Sequence, residues 1–132
     1  MITLAGFDIG GTKCSVVLGE NKNSKIKLIA KKEFYTPEEP NITIQKLKEN
    51  LNNLIISNEI VNLKAIGITC GGPLDSKKGY ILSPPNLPNW EKVGIITPFK
   101  EKFDIPVNLQ KDANAGALAE WKFGAAGDSS NL

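Results

Sequence analysis

Histidine is missing from all 132 residues, which removes Ser-His-Asp triads, Cys-His pairs and His-bearing zinc sites from this segment. A general base here is then a carboxylate, with lysine or tyrosine as the remaining options. Cysteine is scarce: Cys14 and Cys70 lie far apart in apolar stretches, offer neither a disulfide framework nor a CxxC metal motif, and read as small buried hydrophobes. No uncharged apolar run approaches the roughly 18 residues of a membrane helix. Met1 leads almost directly into a strand-like segment without a basic leader or a small-residue cleavage site, so a cytoplasmic location is expected. An excess of one charge is also lacking. The 16 Lys+Arg and 14 Asp+Glu leave a net +2, and the bases are scattered rather than striped, so neither nucleic acid nor a membrane surface is expected as a partner.

What remains is an ordinary globular composition, 41% hydrophobic and 23% charged, with about one domain of length. Ile2 to Ile9 and Ser15 to Gly19 are β-branched-rich runs separated by Gly10-Gly11, a hairpin signal. Residues 25–36 continue as a third strand, with Ile26, Leu28 and Ala30 alternating against lysines. Pro40 opens a helix whose Ile44, Leu47, Leu51, Leu54 and Ile55 form one apolar stripe, ended by Asn58. The near-continuous apolar run of 64–70 suits a central strand covered on both faces. The stretch GGPLDSKKGYILSPPNLPNW reads as a long irregular segment, and loops of that length inside a domain are usually functional. A short helix over about Thr97 to Phe103, a strand at Pro106 to Leu109 and a helix from Asp112 to Phe123 complete the order β-β-β-α-β-α-β-α. Residues 127–132 read as the start of a linker after a lobe spanning 1–126.

Three loops carry the candidate chemistry. DIGGTK (8–13) fits neither the Walker pattern nor GxGxxG. Its glycines can take positive φ, and a hairpin tip of this kind points N–H groups outward toward an anion, with Lys13 adding charge; a plain hairpin with Asp8 and Lys13 at its rim fits the six residues equally well. DANAGALAEW (112–121) places Asp112 where a strand hands over to a helix. That is a favoured N-cap position, and it is also where open α/β sheets hold functional groups. GGPLD (71–75) with PPNLPNW (84–90) could be turns alone, yet the three loops follow three different strands.

In this order and at these separations, DIGGTK, GGPLD with PPNLPNW, and DANAGALAEW resemble the N-terminal lobe of the ROK family, which includes bacterial sugar kinases and sugar-responsive repressors. The resemblance covers essentially the whole chain. It implies an α/β, ribonuclease H-like (actin-like ATPase) fold, of which these residues form one lobe. It further implies an ATP-dependent hexose kinase with Mg²⁺ and a hexose or amino-hexose substrate, homo-oligomeric at full length. Asp8, Gly10, Gly11, Thr12 and Lys13 would form the first phosphate loop, with Asp8 near the metal. Gly72, Pro73 and Asn86 would line the sugar site, and Asp112 would take the proton of the attacking hydroxyl.

One departure is specific: Lys111 stands where the family usually has a sugar-contacting Asn, and an ammonium donates but cannot accept. The resemblance also implies a second lobe bearing the other phosphate loop and a Cys/His zinc cluster, neither of which occurs in these residues. Two other readings are the effector domain of a ROK-type repressor, which needs a helix-turn-helix ahead of the strand beginning at Ile2, and a non-kinase actin-like ATPase, against which the PPNLPNW segment argues. The kinase reading predicts that the purified 132-residue chain gives no sugar-dependent ADP formation in a coupled assay; robust turnover would overturn the requirement for a second lobe.

Overall fold

A computed structural model describes residues 2–22, 25–70, 74–75, 77–82, 89–90 and 92–111. Its centre is a five-stranded mixed sheet in the order β3-β2-β1-β4-β8. The first three strands, β1 (Ile2–Ile9), β2 (Lys13–Lys22) and β3 (Lys25–Tyr35), pair antiparallel. Helix α1 (Pro40–Ser57) then crosses to β4 (Leu63–Cys70), which lies parallel to β1. Toward the end of the described chain, α2 (Ile96–Phe103) returns to β8 (Val107–Lys111), parallel to β4. For the main sheet and its two helices this is the expected order; the expected helix at 112–123 lies outside the described residues.

Strand pleat sorts the side chains of the sheet. Ala5, Phe7 and Ile9 of β1 share a face with Cys14, Val16 and Leu18 of β2, and with Ile66, Ile68 and Cys70 of β4. All of them are buried. Both helices supply the cover: Ile44, Leu47, Leu51 and Leu54 of α1 belong to this core, and Phe99 of α2 meets Phe7 at a ring separation of 4.8 Å. The two cysteines are thus buried and unbridged, as expected.

Local chemistry sets the helix ends. Pro40 occupies the first turn of α1, where its missing N–H costs nothing. Asn58 closes the helix with both its backbone and side-chain N–H groups on the Leu54 carbonyl. Asp104, at φ 54°, ends α2 in the left-handed conformation and donates its N–H to the Lys100 carbonyl. No described helix is long and apolar enough to cross a membrane.

The stretch after β4 departs from the expectation of irregular chain. Leu74–Asp75 (β5), Tyr80–Ile81 (β6) and Val93–Gly94 (β7) form a small antiparallel sheet. Two-residue strands have no periodicity to read; a turn holds them instead. The Asp75 carboxylate accepts the N–H groups of Lys77 and Lys78, and its carbonyl accepts that of Gly79. Gly79 sits at φ +77° against the Ile96 side chain, and its carbonyl accepts the Ile95 N–H that leads into α2. Trp90 and Ile95 join the main core from this unit.

Leu47 is fully buried between α1 and the sheet, and its truncation to Ala is expected to cost about 3 kcal/mol in urea denaturation. Val61→Ser, at a position 98% exposed, is expected to stay within about 0.5 kcal/mol.

Candidate functional site

The parallel strands β1, β4 and β8 end at one edge of the sheet. Their register runs Ser15, Asp8, Thr69, Gln110 across four strands, and then Cys14, Ile9, Cys70, Lys111 in the next row. The three loops singled out in the sequence begin just past this edge, after Ile9, Cys70 and Lys111. Edges of this kind are where open α/β sheets bind ligands. The end of β8 lies two strand spacings, about 10 Å, from β1. Gly72, Pro73, Asn86 and Asp112 lie outside the described residues. Lys111 is described as the last residue of β8, with its Cα opposite Cys70.

The loop after β1 is built tightly. The Gly10 N–H donates to the Lys13 carbonyl at 3.1 Å, closing a turn over Gly11 and Thr12. Glycine is required at position 10 for a reason other than the expected one. Neither Gly10 nor Gly11 has a positive φ; a Cβ on Gly10 would instead stand 2.8 Å from the Lys13 carbonyl oxygen. Gly11, Thr12 and Lys13 are exposed. Among the described residues, the N–H groups of Gly11 and Thr12 make no hydrogen bond, which leaves two donors at an exposed tip. The Lys13 ammonium lies 5.9 Å from the ring of its cross-strand neighbour Tyr35.

Asp8 stands beside this turn on the sheet face opposite Phe7 and Ile9. The Thr69 hydroxyl, itself buried, reaches Asp8 Oδ1 at 3.2 Å and the Phe7 carbonyl at 3.4 Å, its single proton shared between the two acceptors. Asp8 is half-buried, which leaves a fixed, hard oxygen donor at the root of an N–H-rich loop.

Sequence reasoning missed Thr69 and Thr36. The Thr36 hydroxyl donates to the Gly10 carbonyl at 2.7 Å, and the Thr36 N–H donates to the Thr12 carbonyl at 2.9 Å. Because the hydroxyl proton goes to Gly10, the Cys14 thiol 3.2 Å away donates to the Thr36 oxygen. Burial pushes the Cys14 thiol above its ordinary pKa, so it stays a protonated donor at neutral pH. For Thr69 the cross-strand register was the available signal. For Thr36 there was none, because its partners are 24 and 26 residues away. Farther along the same connection, the Asn89 side chain donates to the Glu38 carbonyl at 3.4 Å, bringing the end of the PPNLPNW segment against residues 36–39.

The chain matches the model of the ROK family over residues 4–132. A fructokinase of Zymomonas mobilis is 32% identical over 118 residues, which are 89% of this chain and 38% of the fructokinase. Among solved structures, a ROK hexokinase from Thermus thermophilus is 33% identical with a TM-score of 0.75, over 90% of this chain and 38% of its own. A ROK glucokinase from Streptomyces griseus, in complex with glucose and AMPPNP, is 25% identical with a TM-score of 0.74, over 93% and 37%. Xylose repressors are also relatives; one from Bacillus spizizenii is 28% identical over 96% of this chain and 33% of the repressor. The chain thus spans 38% of the length of the fructokinase it matches. These likenesses identify the sheet and its helices as one lobe of the actin-like ATPase fold.

The close approach at Gly10 yields a prediction. Gly10→Ala forces the turn open against backbone atoms and is expected to destabilise the chain by about 1–3 kcal/mol in urea denaturation, with the largest amide shift changes at residues 10–13.

Proposed function

The chain belongs to the ROK family, and from that premise we propose that it is the sugar-binding, phosphate-loop lobe of an ATP-dependent hexose kinase. The observation that carries this reading is the loop over Gly10 to Lys13: two N–H donors without a partner among the described residues, an exposed lysine and a carboxylate held by Thr69, at the C-terminal ends of the parallel strands of a mixed sheet. The glucose- and AMPPNP-bound glucokinase of similar fold supports the choice of ligands.

Each residue then has a defined task. The Gly11 and Thr12 N–H groups hold phosphate oxygens, and Lys13 adds a point charge that offsets the charge of the transferring group. Asp8 suits Mg²⁺, which takes hard oxygen ligands and binds through one or two carboxylates together with substrate phosphates. The ion, when bound, neutralises charge on the phosphates. Gly72, Pro73 and Asn86 line the sugar site. In this reading Lys111, taking the place of the family's sugar-contacting Asn, would meet the sugar as a donor only, which favours a sugar presenting an acceptor oxygen at that position. Asp112 accepts the proton of the sugar hydroxyl as its oxygen forms the new bond to the γ-phosphorus and the bond to the ADP oxygen breaks. In this reading residues 1–126 are the lobe and 127–132 begin the connection to a second.

The xylose repressor relatives support a second reading, a sugar-sensing effector lobe. The two separate on Asp112. In the protein that joins this chain to a second lobe, Asp112→Asn is expected to lower kcat by about 10²- to 10⁴-fold while sugar affinity by calorimetry stays within about twofold. A wild-type protein that binds sugar and forms no ADP would support the effector reading, and turnover surviving in Asp112→Asn would move the base elsewhere.

A further inference from the structure

We propose that Thr36 is the positioning residue of the phosphate loop, holding its carbonyls inward so that its N–H groups face the ligand. The inference deepens the kinase reading and rests on it for the identity of the ligand. A loop that cradles an anion through its N–H groups has to deal with its own carbonyl dipoles, whose negative ends repel phosphate. In this chain the two carbonyls that bracket Gly11 are both taken by one residue: the Gly10 oxygen by the Thr36 hydroxyl at 2.7 Å and the Thr12 oxygen by the Thr36 N–H at 2.9 Å. With those oxygens anchored against the β3 end, the N–H groups of Gly11 and Thr12 are left without partners among the described residues.

The clamp is itself held in one orientation. A threonine hydroxyl has one proton, and the Gly10 carbonyl, which can only accept, takes it. The Cys14 thiol then donates to the hydroxyl oxygen. The order of donation runs thiol, hydroxyl, carbonyl, and it ends at the turn that the Gly10 N–H closes on Lys13. The loop is therefore assembled before any ligand arrives, which lowers the ordering cost of binding.

The test compares Thr36→Val, which keeps shape and backbone N–H but loses the hydroxyl, with Thr36→Ser, which keeps the hydroxyl. In the 132-residue chain, amide hydrogen exchange at Gly10, whose N–H closes the turn on the Lys13 carbonyl and so reports the turn that the clamp braces, is expected to quicken roughly tenfold in Thr36→Val, the scale of the hydroxyl bond lost from the Gly10 carbonyl, and to return to the wild-type rate in Thr36→Ser. Exchange in α1 and β4 is expected to be unchanged in both. In the protein that joins this chain to a second lobe, titration with MgATP, read at the Gly11 and Thr12 amides, is expected to show affinity lowered by about the same factor in Thr36→Val alone. Wild-type exchange at Gly10 in Thr36→Val, or a Thr36→Ser variant as impaired as Thr36→Val, overturns the proposal. Should Thr36→Val fail to fold, Thr36→Ser and Thr36→Ala decide it, since only the hydroxyl variant retains slow exchange if the clamp is real. If the wild type shows no MgATP-induced shift while Thr36→Val still frees Gly10, the ligand reading falls and the clamp stands.

Discussion

Everything at the candidate site depends on the pleat of β1. Ala5, Phe7 and Ile9 lie under the helices, while Asp8 lies on the other face beside Thr69. A slip of one residue in the pairing of β1 would exchange the two sets, placing the carboxylate beneath α1 and two large apolar side chains in the open. Burial of Phe7 and Ile9 alone favours the correct register by several kcal/mol. The hydrophobic core and the polar row are therefore two outcomes of one constraint, and neither can be altered independently.

The parallel strands extend that constraint laterally. Because β4 and β8 run with β1, their ends come to the same edge, and the row Ser15, Asp8, Thr69, Gln110 is laid down by backbone pairing before any side chain makes a contact. The antiparallel strands do a different job. β2 returns the chain through the tight turn at Gly10, and β3 brings Thr36 back to the turn from its far side. A phosphate loop in a βαβ unit is usually backed by a helix N-terminus; the Gly10 turn is backed instead by a third strand and the threonine that follows it.

Much of this was legible in the sequence. The apolar spacing of Ile44, Leu47, Leu51 and Leu54, the continuous run at 64–70 and the glycine pair after Ile9 gave the main elements close to their observed bounds, since each reflects burial or turn chemistry that acts locally. The small sheet of β5, β6 and β7 was not legible, because it rests on the Asp75 turn and on packing against Ile96 rather than on a pattern. The role of Gly10 was misread: glycine is usually explained by φ, and here it is explained by the closeness of the Lys13 carbonyl. Thr36 was invisible for a further reason. Its chemistry is common to every threonine, and only the pairing of β2 with β3 tells which carbonyls it meets.

Thr36 is followed directly by Pro37. The proline ring disfavours helical backbone angles for the residue before it and biases Thr36 toward extended conformations even in an unfolded chain. A residue with so little freedom to lose gives up little entropy on folding. The order of the glycine turn, whose own residues are among the freest in any chain, is thus underwritten by the stiffness of a dipeptide more than twenty positions away.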